Sequence, residues 1–407
     1  MPNLLVSPWA LAWFGVARSV KIAKAKSSFF ILVINYIKTS MDEEKISGQI
    51  KLIQEEIKST PYHKGTEHYI GRLRAKIARL EDWLLDKGQG RGGAAGGYLI
   101  KKEGDGTVVL VGLPSVGKST LLNSLTSAKS KTAQYPFTTL RVVPGMMAYR
   151  GAKIQIFDVP GLIQGAWVGR GRGKEVLSVV RAADLILLLV DADNPGQARL
   201  IISELESAGI RVGQEKPEVI INKKAKGGIL IKNSSNLKGL TVEIAKGIIE
   251  ELGVKNAEVI IKSHQVGQRE LIDIALGNRV YLPFLLVINK VDILKQDQIK
   301  KLGKNYPGAI LVSALASRGL GELREALFKR LNFKRVYLKP RGGYPDFARP
   351  LIMKGQETVA DVATRVGQIL EGKRSAYVWG KSAKFPGQLV SDNHILVEED
   401  IVSFRCR

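Results

Sequence analysis

The sequence predicts an α/β protein built on a mostly parallel sheet with helices on both faces. A helical hairpin precedes that sheet, an α+β insertion interrupts it and a β-rich module follows it. Three observations lead there. Continuous apolar runs such as TVVLVG (107–112), IQIFDV (154–159) and LILLLVDA (185–192) alternate with helix-length segments, as expected of strands buried on both faces. That rhythm stops near residue 209 and resumes with FLLVINKVD (284–292) and AILVSAL (309–315), so residues 209–278 read as inserted. Beyond Phe333 the strand-like pieces RVYLKP, SAYVWG and DIVSFRCR surround one helical segment, VADVATRVGQIL.

Taken from the start, residues 1–40 contain no Asp or Glu and hold two apolar runs, 4–16 and 29–37. Each run is too short to cross a bilayer, and the Lys and Arg residues follow the first run, whereas a secretory signal has them before it. Met41 opens an acidic helix start, MDEEKISGQIK, so a mis-called start codon is the preferred reading of what precedes it, with a membrane anchor as the competing one. Over 41–87, Ile46, Ile50, Ile53 and Ile57 make one helical stripe, and Ile70, Leu73, Ile77, Leu80 and Leu84 a second. The turn-like TPYHKGT lies between them, which predicts two amphipathic helices packed on each other. GQGRGGAAGG (88–97) is too rich in glycine for regular structure and reads as a linker. The nucleotide domain is expected over 98–334 and the terminal module over 335–407. Within the insertion, EVIINKKAKGGILIKNSS reads as a basic hairpin-like piece, followed by a helix, a strand and a second helix.

Composition narrows the class of protein. Hydrophobic residues at 45% and charged residues at 25% are ordinary for a globular chain, but the net charge of +24 points to a polyanionic partner, nucleic acid or an anionic membrane face. The lone Cys406 excludes an intrachain disulfide and fits a reducing cytosol. His63, His68, His264 and His394 show no metal-ligand spacing.

The chemistry begins at GLPSVGKST (112–120), between the strand TVVLV and the helical LLNSLTS. This is the phosphate-binding loop in its required context, with Gly112, Pro114, Ser115, Val116 and Gly117 wrapping phosphates and Thr120 in the first helical turn. Lys118 is expected to bridge the β- and γ-phosphates, and Ser119 to ligand Mg²⁺. NKVD (289–292) follows the strand FLLVI. The Asp292 carboxylate can accept from the ring N–H and the exocyclic amine of guanine, a donor pair adenine lacks. Asn289 would steady the loop and base, Lys290 would lay its stem over the purine, and SAL (Ser313, Ala314, Leu315) would offer backbone contacts to the guanine oxygen. INKKAKG (221–227) has the Asn-Lys but no Asp and is set aside. In YPFTTLR (135–141), after Phe137, either Thr138 or Thr139 could ligand Mg²⁺ when the γ-phosphate is present. In DVPGLIQGA (158–166), Asp158 would reach Mg²⁺ through water and the Gly161 N–H would bond the γ-phosphate. The four motifs together predict binding of GTP and GDP.

With these residues assembled, the chain from Met41 to Arg407 resembles the developmentally regulated GTP-binding proteins (the DRG group) of the Obg-like GTPases. GLPSVGKSTLLNSLT, YPFTTL, DVPGLIQGA, GRGRGKEVLSVVRAADLILLLVDA and GNRVYLPFLLVINKVD carry the resemblance. RVYLKPRGGYPDF and YVWGKSAKFPGQLVSDNHILVEEDIV resemble that group's TGS domain, a β-grasp-like fold. The resemblance implies a P-loop GTPase domain, an N-terminal helical region and an insertion of ribosomal-protein-S5-like fold. It also makes Thr139 the Mg²⁺ ligand, with Lys118, Thr139 and Gly161 as the catalytic set. The implied role is a monomeric cytoplasmic GTPase that works with ribosomes and their RNA, with a partner protein in some lineages. The rival reading, from a different class, is an RNA-binding scaffold that holds GTP structurally.

Leu162 stands where a Ras-type enzyme has its water-positioning Gln, and the family resemblance makes a hydrophobic residue there a trait of the group. Backbone groups, with a K⁺ ion near Ser115 or a partner such as the ribosome supplying positive charge, or Gln164, could complete the site, since phosphoryl transfer depends on positioning and charge neutralisation. Arg170, Arg172 and Lys174 in GRGRGKE could meet phosphate or RNA when GTP orders the loop; a solvated loop is the alternative.

Overall fold

A computed structural model describes residues 44–63, 65–86, 102–126, 133–134, 141–159, 172–233, 237–340, 342–367 and 374–406. The N-terminal apolar runs and the Gly-rich 88–97 lie outside these residues. The chain divides into two compact units, one combining its N-terminal part with Pro217–Gly277, the other combining the remainder up to 216 with Asn278–Arg407.

The first helices are α1, with helical backbone over 44–59, and α2, Glu67–Asp86. The nucleotide domain then begins with β1 (Gly106–Val111), α3 (Lys118–Leu125), β2 (Ala133–Gln134), β3 (Arg141–Tyr149) and β4 (Ala152–Asp158). It continues through α4 (Arg172–Ala182), β5 (Leu185–Asp191), α5 (Gln197–Ser207) and β6 (Ile210–Val212). The insertion supplies β7 (Val219–Lys223), β8 (Ile229–Lys232), α6 (Val242–Glu251), β9 (Ala257–Ile261) and α7 (Gln268–Leu276). The nucleotide domain resumes with β10 (Val280–Leu282), β11 (Phe284–Asn289), α8 (Gln296–Asn305), β12 (Ile310–Leu311) and α9 (Leu320–Arg330).

Its seven-stranded sheet has the order β12-β11-β5-β1-β4-β3-β2. The five strands from β12 to β4 run parallel, and β3 and β2 are antiparallel additions at one edge. Alternation along β1 and β5 sends side chains into two different layers. Val109, Val111, Ile186, Leu188 and Val190 pack with Val176 and Val180 of α4 and Ile201 and Leu205 of α5. Their neighbours Val108, Leu110, Leu185, Leu187 and Leu189 pack with Leu121, Leu122 and Leu125 of α3 and Leu323 and Leu327 of α9. Both faces are therefore covered, which is why these strands read as uninterrupted apolar runs.

Strands β6 and β10 pair in parallel to form a separate two-stranded sheet. The sequence reading opened the insertion at 209, but β6 belongs with the nucleotide domain and the excursion runs over Pro217–Gly277. A second difference lies inside it. The segment read as a basic hairpin does not pair with itself: β9 sits between β7 and β8, antiparallel to the first and parallel to the second. The third difference concerns α2. Ile70 and Leu73 are buried, but so are Ala75 and Ala78, which share a core with Ile244, Ala245, Ile248 and Ile249 of α6 and Val259 and Ile261 of β9. Ile53 of α1 is buried and the Tyr69 hydroxyl of α2 donates to Glu56 of α1, while α2 also packs its small-residue face on the insertion. Gly71 makes that approach close, its absent Cβ standing only 3.2 Å from Ile244.

The terminal module comprises β13 (Phe333–Leu338), β14 (Leu351–Lys354), α10 (Val359–Arg365), β15 (Arg374–Trp379), β16 (Gln388–Val390) and β17 (Asp400–Cys406). Its sheet order is β14-β13-β17-β15-β16, with β13 and β17 parallel at the centre. Val359 and Val362 of α10 pack on Val336, Ala376, Val378 and Val402, the β-grasp-like arrangement expected. The module is joined to the nucleotide domain through Phe333 and Ile352, which belong to the core shared with α3 and α9. An ionic node reinforces the join: Asp184 accepts from the Thr107 amide at 2.8 Å, from Lys102 at 3.2 Å and from Lys354 of β14 at 3.1 Å.

Candidate nucleotide-binding site

The loop after β1 is shaped by glycines at two places. A Cβ on Gly112 would lie 2.4 Å from the Leu189 carbonyl oxygen of neighbouring β5, so no side chain fits there. Gly117, at φ 93°, turns the chain into α3 in the left-handed region, and its Cβ would meet the Asn289 amide at 2.5 Å. No side chain caps α3, so the amides of its first turn stay directed at whatever fills the loop, the arrangement that attracts an anion. Ser115, beside them, also holds a positive φ of 65°.

Lys118 folds back over this loop, its ammonium donating to the carbonyls of Gly112 at 3.0 Å and Leu113 at 2.9 Å. Burial pushes its pKa down, and the nearby Asp158 carboxylate partly opposes that. The next residue, Ser119, donates its hydroxyl to Asp158 Oδ2 at 2.6 Å. Asp158 is buried, and its Oδ1 has no hydrogen-bond partner. An unpartnered buried carboxylate oxygen beside a serine hydroxyl is a hard oxygen pair, and it suits Mg²⁺.

Asn289, at the end of β11, is 2% exposed and ties two loops together. Its amide nitrogen donates to the Val116 carbonyl of the phosphate loop at 2.9 Å, and its oxygen accepts from the Ala314 amide at 2.9 Å. Lys290 has a positive φ of 64° and pairs with Asp191, at the end of β5, at 2.5 Å. Asp292 is exposed in the short 3-10 turn Val291–Ile293. A hydrogen bond from Ser313 holds its carboxyl below the usual carboxylate range, with Arg318 contributing, so an anionic acceptor faces solvent where a base could meet it. Of the SAL residues, Ser313 is fully buried and exchanges backbone hydrogen bonds with Arg318, while Leu315 is 83% exposed.

The structure thus brings together Gly112, Pro114–Thr120, Asp158, Asn289–Asp292 and Ser313–Leu315 around the ends of β1, β4, β11 and β12. Phe137, Thr138, Thr139, Gly161, Leu162, Gln164 and Arg170 lie outside the described residues, and Arg172 and Lys174 are described by backbone alone, in the first turn of α4. Two contributors escaped the sequence reading. Asp191 could have been noticed as the charged end of an apolar strand. The Ser313 hydroxyl was expected to matter only through its backbone.

A parallel sheet with a glycine-shaped phosphate loop, a Ser–Asp oxygen pair and the NKVD carboxylate exposed after β11 defines a GTPase of the P-loop class. Comparison with known proteins agrees. Residues 107–224 match the family model described as 50S ribosome-binding GTPase, residues 226–333 its C-terminal region and residues 334–406 the TGS domain. An uncharacterised GTP-binding protein of Methanocaldococcus jannaschii is 45% identical, over 88% of this chain and 92% of its own. Human developmentally-regulated GTP-binding protein 2 is 37% identical over 88% and 98%, and ribosome-interacting GTPase 1 of Saccharomyces cerevisiae is 38% identical over 87% and 97%. The chain belongs to the developmentally regulated GTP-binding protein family.

Proposed function

We infer that this GTPase is a nucleotide-dependent switch that works on ribosomes in the cytoplasm. The observation that carries the nucleotide part is the double tie of Asn289, which fixes the phosphate loop and the base-side loop in one register. In this reading Asp292 accepts from the two guanine donors, and Lys290, steadied by Asp191, flanks the base. A guanine oxygen would share the Ala314 N–H with Asn289 or use a neighbouring amide. Lys118 leaves the loop carbonyls to neutralise the β- and γ-phosphates. Ser119 and Thr139 would hold Mg²⁺ directly and Asp158 through water; the ion supplies charge neutralisation on the phosphate oxygens. The Gly161 N–H reports the γ-phosphate, which makes the surrounding loops the switch. Leu162 cannot aim water, so backbone groups, Gln164, K⁺ near Ser115 or the ribosome itself would complete the site.

The ribosomal part rests on the name of the yeast relative, the description of the matching family model and the net charge of +24. In this reading the domains are a hairpin at 41–87, a linker at 88–97, a GTPase domain at 98–334 interrupted by the insertion Pro217–Gly277, and a TGS domain at 335–407. The deciding experiment measures GTP turnover with and without ribosomes, alongside co-sedimentation under GTP, GDP and a non-hydrolysable analogue. Stimulated turnover and GTP-dependent sedimentation are expected. Unstimulated turnover, with RNA binding indifferent to nucleotide, would instead make the protein an RNA-binding scaffold. Repeating the turnover in K⁺ and Na⁺ tests the cation, with equal rates removing it.

A further inference from the structure

The end of the insertion sheet where β7 leads toward β8 is ordered by one side chain. Asn256 accepts from the Gly228 amide at 2.8 Å and donates to the Ala225 carbonyl at 3.2 Å. Its own carbonyl accepts from the Lys224 amide at 2.9 Å, and Ala257 donates to the Gly228 carbonyl at 3.0 Å. These bonds pin the loop KKAKGG (223–228) against the Lys255–Asn256 turn. What they hold in place is almost only positive charge. Lys223, Lys226 and Lys255 are exposed, and none has an ion-pair partner among the described residues. Lys224 and Lys232 share the single carboxylate of Glu258. Gly227 and Gly228, both at positive φ, have open space where a Cβ would be, so a ligand can approach the backbone there.

The chemistry of this loop selects among polyanions. Lysine ammoniums are donors without acceptors, suited to phosphate oxygens as point charges. Recognition of single-stranded RNA relies on aromatic side chains for base stacking, and Pro217–Gly277 contains no Phe, Tyr or Trp; its one His264 lies past the other end of β9 from the loop. Contact with a phosphate backbone, independent of sequence, is what remains. We propose that the Asn256-pinned lysine loop, with Lys223, Lys226 and Lys255 at its front, is a contact surface for the phosphate backbone of double-helical RNA. The proposal rests on the ribosomal reading for its biological setting, but its test does not.

The experiment measures binding of the full chain to short A-form RNA duplexes of two unrelated sequences across a salt series. The triple variant Lys223→Gln, Lys226→Gln, Lys255→Gln should bind more weakly, with a slope of log affinity against log salt shallower by about 2–3 and equal for both duplexes. A control of equal charge loss on α8, Lys300→Gln, Lys301→Gln, Lys304→Gln, should keep the parent slope. Far-UV circular dichroism and thermal unfolding serve as the folding check for the insertion triple, which lies in the unit GDP does not contact, and GDP affinity for the α8 control. Asn256→Ala, which keeps every charge and releases the loop, should weaken binding several-fold. Equal slopes for the parent and the insertion triple would overturn the proposal, as would an equal loss in the α8 control. Loss of binding confined to polyglutamate would overturn it in favour of an acidic protein partner. Ribosome sedimentation that persists while the slope is unchanged would sink this inference alone; absent sedimentation with a changed slope would sink only the ribosomal reading.

Discussion

At the scale of single residues, the proposed base selection rests on Asp292. Guanine presents two donors to it, whereas xanthine carries a carbonyl in place of the exocyclic amine. Asp292→Asn should therefore lose GTP affinity by about 3 kcal/mol, a hundredfold or more, because the amide oxygen accepts from only one guanine donor and the amide NH2 faces the other. The same variant should gain affinity for xanthosine triphosphate, since an amide can donate to the new carbonyl. Competition between the two nucleotides on parent and variant reads both changes at once, and an unchanged preference would remove Asp292 from base recognition. The carboxylate of Asp292 was legible in the sequence because NKVD is contiguous. The Ser313 hydrogen bond that keeps it charged was not, because Ser313 lies after β12, outside the contiguous motif.

At the scale of elements, two contacts have measurable consequences. Burial alone would raise the Asp184 pKa, but the Thr107 amide, Lys354 and Lys102 together hold it below the ordinary value. A lowered folded-state pKa contributes stability that is present above the unfolded-state pKa and lost as pH falls through the folded one. Asp184→Asn should cost about 1–2 kcal/mol at neutral pH, after allowance for solvent screening. The difference should shrink once pH drops below the ordinary Asp range, as read by denaturant midpoints of parent and variant along a pH series. The second contact is α2 on α6. Ala75 is fully buried there, so Ala75→Leu should overpack the interface and cost about 1–3 kcal/mol, with a lowered denaturation midpoint. Leu80→Ala, in the stripe the sequence singled out but only half-buried, should cost less. The periodicity of large apolar residues predicted the helix correctly and its contact face incompletely, because Gly71, Ala75 and Ala78 carry little hydrophobic signal yet allow the closest approach.

For the whole molecule, two units with separate cores predict two unfolding transitions, since cooperativity is a property of a shared core. GDP contacts residues of only one unit in the proposed site. At a hundredfold excess over its Kd it should stabilise that unit by about 2.7 kcal/mol and leave the other transition in place. Scanning calorimetry with and without GDP separates the cases; a single transition that moves as a whole would show the units to unfold together. The net charge of +24 is a property at this scale too; it points to a polyanionic partner without naming the surface that would meet it.

The sequence by itself determined the elements and the motifs. Strand and helix follow from side-chain periodicity, and the phosphate loop and NKVD are short runs whose backbone geometry is encoded by their own glycines and polar residues. Tertiary structure alone decided which distant pieces share a core. It put β9 between β7 and β8, made α2 a wall of the insertion, returned β6 to the nucleotide domain and tied Asn289 to both loops of the site. The physical reason is common to all four. Strand pairing and packing of small residues depend on partners far along the chain, and no local pattern names those partners.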